Sequence, residues 1–383
     1  MRLAVVIGTR PEIIKMAPVV RACVAQRLPC LLIHTGQHYS FDLDGVFFQE
    51  CGLPAPHYNL EVGSGSATYQ IGAIITRMET VLARERPNVV LVEGDTNSVL
   101  GAGLAAHKLG IQVGHVEAGL RSYDRSMPEE INRILTDHFS DYLFAPTARA
   151  RDILLSEGVA AERVHITGNT VVDELLFQRP RAERPEVFHR FDVERGRFAL
   201  ATVHRAENTG DEGRLRGIFQ GLADAGRALD VPVLVALHPR TRARLSMLGI
   251  SVERSVRMLP PLGYLDFLGL HAGAALMLTD SGGLQEEACC LRVPCVTLRD
   301  NTERPESIEV GANLLSGAEP GRILECAQAI VARSRDWENP FGDGRSGQRI
   351  LALLTEGTQT APAKTTATDE RRLLPTEPSE SLR

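Results

Sequence analysis

The sequence lacks the features that mark membrane and secreted proteins. No part of it approaches the roughly 18 consecutive apolar residues that a membrane-spanning helix requires. The N-terminus enters a short apolar strand directly, without the basic, apolar and small-residue segments that follow one another in a signal peptide. We therefore expect a cytoplasmic protein that makes no contact with a membrane.

Cysteine is scarce as well. The chain has 7 cysteines among 383 residues, most of them in apolar surroundings, and no two have the C-x-x-C spacing of zinc and redox sites. An odd number of cysteines in a protein expected to be cytoplasmic also argues against a disulfide framework. We expect reduced cysteines and a site without a metal.

Neither sign of charge is in large excess. The 42 basic and 48 acidic residues are spread along the chain and give a formal net charge of −6. This balance provides no extended positive surface for nucleic acid. An anionic ligand would therefore have to be held by individual arginine and lysine side chains.

What the sequence does contain is a regular alternation of short apolar runs and helical stretches. This alternation predicts an α/β fold, in which parallel, doubly wound sheets carry helices on both faces. A polar segment, residues 178–197, separates two series of strands, so we expect two similar halves with a ligand site in the cleft between them. The predicted strands are residues 3–7, 30–34, 88–92, 112–116, 142–145 and 164–167, then 198–203, 231–237, 256–259, 274–279 and 294–298.

The length of the chain is sufficient for two domains that each bury a core. We place the first domain at residues 1–170 and the second at residues 171–344. A short amphipathic helix is expected over about residues 345–355. Residues 357–383 are rich in Thr, Ala, Pro, Glu and Arg without periodicity, and we expect them to be disordered.

Acidic residues stand at the ends of predicted strands and at a helix start. Asp95 and Glu117 each follow an apolar strand, and Glu129 follows Pro128, a favourable first helical residue. Because the carboxyl ends of parallel strands meet at one edge, we expect these acids to surround one ligand and to act as acids and bases on both of its faces. Asp95 could instead cap the next helix, and Glu129 or Glu130 could simply favour the helix start or pair with Arg133. Glu117 has no comparable alternative.

A second candidate site is the turn from a strand into a helix at residues 280–283. Its glycines, Gly282 and Gly283, let backbone N–H groups approach a phosphate, and the helix start adds positive potential, although tight turns without ligands share this sequence. Ser281 lies in the same turn, and Glu287 could either bind ribose hydroxyls or match the helix dipole.

Cations and histidines complete the candidate residues. Arg304 on one side of the cleft, with Arg10 and Lys15 on the other, could meet a polyphosphate that bridges both halves. His204, after a strand, could stabilise a departing phosphate or carry a proton, or could simply cap the strand end. His238 occupies a similar position and more readily fits the capping interpretation.

Several segments together resemble the non-hydrolysing UDP-N-acetylglucosamine 2-epimerases. They lie between residues 3 and 354 and are GTRPEIIKMAPV, TGQHYS, EGDTNSVL, GHVEAGLRS, MPEEINR, ITGNTVVDEL, TVHRAEN, TDSGGLQEEA and RDNTERPE. The resemblance implies a GT-B-type pair of Rossmann-like domains, with the last helix returning to the first domain and the active site between them. It also implies a homodimer that uses no metal or nicotinamide cofactor.

The activity implied by the resemblance is reversible C2 epimerisation of UDP-N-acetylglucosamine. In that family UDP leaves by anti elimination, giving a 2-acetamidoglucal, and then adds back with protonation from the opposite face. The implied catalytic residues are Asp95, Glu117, Glu129 and His204. The implied UDP contacts are Arg10, Lys15, Phe267, Ser281, Gly282, Gly283, Glu287 and Arg304.

The sequence also departs from the family pattern. The loop LRSYDRSM is two residues shorter than in many bacterial members and resembles archaeal enzymes and those acting on UDP-2,3-diacetamido-2,3-dideoxy-glucuronate. Ser40 and Ala206 stand where bacterial members bind a second, activating substrate molecule, and Leu262 replaces a glutamine near the uracil. A hydrolysing 2-epimerase, a glycosyltransferase and a catalytically silent nucleotide-sugar sensor are the alternative functions.

Overall fold

The computed structural model describes residues 1–36, 41–237 and 239–360. Its first half is built on seven strands: β1 (Leu3–Ile7), β2 (Cys30–His34), β3 (Tyr58–Asn59), β4 (Val89–Glu93), β5 (Gln112–Val116), β6 (Tyr142–Ala145) and β7 (Val164–Ile166). The second half is built on six: β8 (Ala199–Thr202), β9 (Val233–Ala236), β10 (Val256–Leu259), β11 (Leu276–Thr279), β12 (Cys295–Thr297) and β13 (Asn313–Leu315).

Sixteen α-helices connect these strands in the described residues. In the first half they are α1 (Arg10–Ala25), α2 (Phe41–Glu50), α3 (Ala67–Glu85), α4 (Asn97–Lys108), α5 (Pro128–Phe139), α6 (Ala148–Ser156) and α7 (Thr170–Ala182). The remainder are α8 (Pro185–Arg190), α9 (Ala206–Gly210), α10 (Glu212–Leu229), α11 (Pro239–Met247), α12 (Tyr264–Gly273), α13 (Gly282–Leu291), α14 (Pro305–Glu309), α15 (Pro320–Val331) and α16 (Ser346–Thr360). None of the described helices is both long and apolar enough to cross a membrane.

The strands form two parallel sheets. The first has the order β3-β2-β1-β4-β5-β6-β7 and the second the order β10-β9-β8-β11-β12-β13. In each sheet the chain adds strands on one side of its first strand and then on the other, as in doubly wound folds. Ligands of such folds bind at the carboxyl ends of the strands, next to this change of side. The α/β prediction and the two-sheet arrangement are therefore confirmed.

Each sheet is buried on both faces, which explains its nearly continuous apolar strands. In β1, Leu3, Val5 and Ile7 pack into one apolar cluster, whereas Ala4 and Val6 pack into the cluster on the opposite face. All eleven predicted strands are present with small shifts at their ends. The short edge strands β3 and β13 were not predicted.

The segment predicted as a polar link, residues 178–197, lies between the two sheets and is partly helical. Helices α7 and α8 occupy most of this segment. The side chain of Asn169 caps α7 by accepting a hydrogen bond from the backbone N–H of Val171. Leu175 and Ala182 of α7 pack in one cluster with Ala17 of α1 and Leu268 of α12, so this helix contributes to the packing of both halves.

The last helix returns to the first half. Ile350, Leu351 and Leu354 of α16 are fully buried in the cluster that contains Ile13 and Met16 of α1. The helix extends to Thr360, beyond the predicted end near residue 355, and thus into the segment predicted to be disordered. The remainder of the predicted disordered segment, residues 361–383, lies outside the described residues.

The two places where the chain passes between the halves are adjacent. The backbone N–H of Asn169 donates to the carbonyl oxygen of Phe341 at 2.7 Å. The backbone N–H of Gly347 donates to Asp173 Oδ1 at 2.8 Å. These contacts join the start of α7 to the segment that leads into α16.

Candidate active site

Charged side chains from both halves meet in one buried cluster. Lys15 of α1 donates from Nζ to Glu93 Oε1 at 2.9 Å and also to Glu117 Oε2. Arg304, which precedes α14 in the second half, donates to Glu117 Oε1. Because Glu117 lies directly after β5, the cluster stands at the carboxyl end of the first sheet and joins it to the second half.

The cluster holds its acids in different protonation states. Burial would raise the pKa of the Glu117 carboxyl, but the charges of Lys15 and Arg304 outweigh burial and hold that pKa well below its usual value. Burial raises the pKa of Glu93 well above its usual value; Lys15 opposes this effect and the Glu117 carboxylate adds to it. The cluster therefore favours the protonated form of Glu93 and the ionised form of Glu117.

Glu286 is a third buried acid beside the same arginine. Its Oε2 accepts a hydrogen bond from Asn169 Nδ2 at 3.0 Å, and its Oε1 pairs with Arg304 Nε. Burial, only partly offset by the charge of Arg304, raises its pKa to about 7. Arg304 therefore links one ionised carboxylate and one that titrates near neutrality.

The backbone of Glu117 has a positive φ of 68°. Residues other than glycine adopt this left-handed conformation rarely, at a cost of roughly 1–3 kcal/mol, and such strain concentrates at functional sites. Two residues later, Gly119 has a φ of 84°, and a Cβ atom there would lie only 2.3 Å from the carbonyl oxygen of Ala150. The turn that presents Glu117 is thus tightly constrained.

Asp95 lies at the corresponding turn after β4. Its carboxylate pairs with Arg133 of α5 and its side chain is 31% exposed. The capping alternative for Asp95 was wrong, because the side chain of Thr96 is the group that accepts a hydrogen bond from the Val99 N–H at the start of α4. The Asp95 carboxylate therefore remains at the surface of the site.

The two adjacent acids at the start of α5 differ in environment. Glu130 is buried and accepts hydrogen bonds from the N–H groups of Ser122 at 3.0 Å and Tyr123 at 2.9 Å, besides pairing with Arg133. Within the described part of the chain, Glu129 has no side-chain hydrogen bond or ion pair. The predicted pairing with Arg133 is therefore made by Glu130, and Glu129 is available to a ligand.

On the other side of the cleft, α13 begins at Gly282. A Cβ atom at Gly282 would approach Glu303 Oε2 to 3.5 Å, whereas one at Gly283 would meet nothing within 4 Å. The first N–H groups of a helix have no partner within it, and at Gly283 they border open space. Ser281 precedes the helix and donates its own N–H to Thr279 Oγ1 at 3.0 Å.

His204 stands beside this helix start. Its ring is 46% exposed, and its Nδ1 lies 2.9 Å from Oδ1 of the buried Asp280. Asp280 also accepts hydrogen bonds from the backbone N–H groups of His204 and Arg205. Burial would raise the pKa of Asp280, but its hydrogen bonds and the charge of His204 lower it. The carboxylate therefore holds the Nδ1 proton and leaves Nε2 to face a ligand.

The remaining predicted contacts lie on the surrounding helices. Arg10, at the start of α1, places its guanidinium carbon 5.0 Å from the ring centroid of Phe47. Phe267 of α12 makes an edge contact with His271, at 6.0 Å between ring centroids. Glu287 of α13 is buried, with Oε2 3.6 Å from His271 Nδ1. His238 and Ser40 lie outside the described residues.

Sequence reasoning missed several acids and arginines of the site. Glu93 and Glu286 were not proposed at all, and Glu130, Arg133 and Asp280 were mentioned without a role in binding or catalysis. An acid such as Glu93 that ends an otherwise apolar strand was the available signal, because an acid is rarely buried without a partner. The described residues contain no group of three or more His, Cys, Asp or Glu side chains arranged to hold a metal ion.

Two doubly wound parallel sheets that share one buried site at their facing edges define a GT-B-type enzyme with two Rossmann-like halves. The chain belongs to the UDP-N-acetylglucosamine 2-epimerase family, whose family model matches residues 21–355. The resemblance predicted from its motifs is thereby confirmed.

Two similar proteins, one of them with a solved structure, illustrate the relationship. The UDP-N-acetylglucosamine 2-epimerase of Methanocaldococcus jannaschii is 47% identical over 364 residues, covering 93% of this chain and 100% of that protein. Its crystal structure in complex with UDP-GlcNAc and UDP superposes with a TM-score of 0.88 over 93% of this chain and 100% of that one. The UDP-2,3-diacetamido-2,3-dideoxy-D-glucuronate 2-epimerase of Pseudomonas aeruginosa is 41% identical over 361 residues, covering 93% and 100% of the two chains.

Proposed function

We propose that this enzyme interconverts UDP-N-acetylglucosamine and UDP-N-acetylmannosamine by removing and replacing the proton at C2. The observation that carries this proposal is the buried Glu117 carboxylate, kept ionised by cations from both halves at the carboxyl end of the first sheet. A base on one side of the cleft and a helix start suited to phosphate on the other place the sugar between them. The identity to the archaeal enzyme of the same activity supports this substrate.

Lys15 and Arg304 give the site a means of activating Glu117. Without a ligand both cations pair with its carboxylate and weaken it as a base. A diphosphate that attracts either cation would draw positive charge away from Glu117 and strengthen the base as the substrate binds. Proton removal from C2 and departure of UDP would then be favoured together.

The other candidate residues complete the reaction. Asp95 and Glu129, whose carboxylates are accessible, supply proton transfer at the second face of the sugar. The Nε2 of His204 donates to the departing phosphate, with Asp280 holding the opposite ring nitrogen. The α13 start, with Glu287 and Phe267 beyond it, receives the UDP moiety together with Arg10. Anti elimination to a 2-acetamidoglucal and re-addition of UDP use each of these groups.

The test is incubation with UDP-N-acetylglucosamine in heavy water. We expect deuterium at C2 and accumulation of the manno epimer. The variants Glu117→Gln and Asp95→Asn should retain UDP binding and lose turnover, since they remove proton transfer and leave the phosphate site intact. Glu325→Gln, at an exposed carboxylate of α15, serves as the control. Neither exchange nor epimer from this sugar or its diacetamido uronate analogue would overturn the proposal, and release of free N-acetylmannosamine with UDP would indicate a hydrolase.

A second substrate is supported by the Pseudomonas aeruginosa relative, which acts on a diacetamido glucuronate nucleotide. The short loop at residues 120–127 lies between Glu117 and Glu129, where substituents of the sugar ring would pass. Comparing kcat/KM for the two nucleotide sugars decides between them. A higher value for the uronate would assign this chain to the second activity.

We propose further that the enzyme is a cytoplasmic homodimer with its domains divided at residues 170 and 171. The sequence resemblance supports the dimer and the boundary. Sedimentation equilibrium with and without UDP tests the dimer, and a monomer under both conditions would overturn it.

A further inference from the structure

His115, two residues before Glu117, is buried completely among groups that can only accept hydrogen bonds. Its Nδ1 lies 2.7 Å from Asp137 Oδ1, and its Nε2 lies 2.8 Å from the carbonyl oxygen of Gly94. A carboxylate and a carbonyl oxygen offer no proton. Both ring nitrogens therefore face acceptors, an arrangement that a ring carrying an N–H at each nitrogen satisfies.

Asp137, which contacts the ring, also belongs to a chain of ion pairs. Asp137 Oδ2 also lies 2.7 Å from Arg121 Nη1, and Arg121 Nη2 lies 2.6 Å from Glu157 Oε2. The side chains of His115, Asp137 and Arg121 are almost inaccessible to solvent, so the Asp137 carboxylate depends on N–H donors from its neighbours.

The pKa of Asp137 agrees with this arrangement. Burial would raise it, but the charge and hydrogen bond of His115, followed by those of Arg121, lower it. Arg163 also approaches, donating from Nη2 to the carbonyl oxygen of Asp137 at 3.3 Å. The charged groups facing the ring thus come from α5, from the loop after β5, from the end of α6 and from the turn before β7.

The contacts of the His115 ring join the two turns that carry the candidate acids. Gly94 immediately precedes Asp95, and its N–H donates to the carbonyl oxygen of Val116 at 3.1 Å. Asp137 Oδ2 accepts a hydrogen bond from the N–H of Gly119 at 3.2 Å. His115 and Asp137 therefore hold the backbone on both sides of Glu117 and directly before Asp95.

We propose that His115 is a positioning residue, an imidazolium whose two N–H groups fix the turns that present Asp95 and Glu117 to the sugar. The consequence for catalysis rests on the proposed epimerase activity. The protonation of His115 does not depend on that activity and can be measured without a substrate.

The direct test is nitrogen NMR of protein labelled with 15N at histidine, recorded at about pH 8, where unperturbed imidazoles are neutral. We expect both ring nitrogens of His115 to have shifts typical of protonated nitrogen. The signals are assigned by their loss in His115→Gln. A signal of the neutral form, with one nitrogen lacking a proton, would overturn the proposal.

The kinetic test compares His115→Gln with His138→Gln, the same substitution on the exposed face of α5. Glutamine can donate a single hydrogen bond along one direction, so we expect His115→Gln to lower kcat by about 10- to 100-fold through misplacement of the acids, with a smaller change in KM. UDP affinity should be unchanged, and His138→Gln should match the parent enzyme. An unchanged kcat, or a loss of UDP affinity equal to the loss of activity, would contradict positioning.

The possible results distinguish a failure of the His115 proposal from a failure of the proposed epimerase activity. If the parent protein shows no turnover of either sugar, the epimerase proposal fails, while the NMR measurement still decides the state of His115. If His115→Gln does not fold, the spectrum of the parent enzyme decides, with each ring signal assigned by histidine substitutions elsewhere. A neutral ring in an active enzyme refutes the positioning role alone.

Discussion

Glu12 of α1 provides a quantitative test of the electrostatics at the cleft. It is buried at the helix start, where its Oε1 accepts from Thr96 Oγ1 at 2.6 Å and its Oε2 accepts from the N–H groups of Gly8 and Thr9. Burial raises its pKa from 4.5 to about 7, against the effect of these hydrogen bonds. Replacing Glu12 by Gln keeps the shape and supplies an amide that can satisfy the same partners.

The magnitude follows from the difference between the folded and unfolded states. Between about pH 4.5 and about pH 7 the unfolded chain has lost the Glu12 proton and the folded chain still holds it. Stability of the parent protein therefore falls as pH rises through this window. At about 1.4 kcal/mol per pKa unit, the difference of about 2.5 units gives about 3 kcal/mol in total. Glu12→Gln lacks this loss, so its advantage over the parent should grow by about 3 kcal/mol across the window and remain constant above it.

The assay is urea unfolding of both proteins at pH values spaced across the window, with Glu79→Gln on the exposed face of α3 as the control. Folding buries little of the Glu79 carboxylate, so the control should show a small difference at every pH. A Glu12→Gln difference that stays constant with pH, or that decreases as pH rises, would refute the reasoning. It would mean that Glu12 folds as a carboxylate.

Three further predictions concern the site. Lys15→Met removes the cation shared by Glu93 and Glu117. It should lower turnover, measured by steady-state kinetics, by at least about 100-fold, and it should weaken UDP binding, measured by calorimetry. An unchanged kcat and an unchanged Kd for UDP would exclude a role of Lys15 in the phosphate site. Gly283→Ala should fit without strain and should weaken UDP binding with little change in melting temperature. Gly119→Ala should destabilise the fold by about 3 kcal/mol or more. A larger loss of stability in Gly283→Ala than in Gly119→Ala would contradict the assignment of these turns. Glu130→Gln should loosen the loop at residues 120–127 and alter the ratio of kcat/KM for the two nucleotide sugars, and an unchanged ratio would separate this loop from specificity.

The sequence was sufficient for the central strands because burial on both faces produces long apolar runs. It was not sufficient for β3 and β13, which have two and three residues and little pattern of their own. The helices within residues 178–197 were not predicted because they expose mostly charged side chains. The few apolar residues that pack α7 are recognisable only once their packing partners are known. The edge strands and these helices therefore form because of packing between segments that are far apart in the sequence.

The residues of the site also fall into those that the sequence could predict and those that it could not. Asp95 and Glu117 were found because strand ends in parallel sheets point to one edge. The pairing of Arg133 with Glu130 instead of Glu129 depends on the rotation of α5 about its axis, which the spacing of the acids does not specify. The raised pKa of Glu93 depends on its burial and on the nearby Glu117 carboxylate, and no local sequence pattern indicates a contact between residues so far apart in the chain.

The contact between Asn169 and Phe341 bears on how the two halves can move. Because the two crossings lie side by side, they define one hinge axis between the halves. Rotation about this axis would open the cleft, whereas the paired crossings would resist sliding or twisting of one half against the other. The two halves would then return to the same relative position after every catalytic cycle. Arg304 would return to Glu117 each time, so the enzyme would reset its own base whenever the product departs.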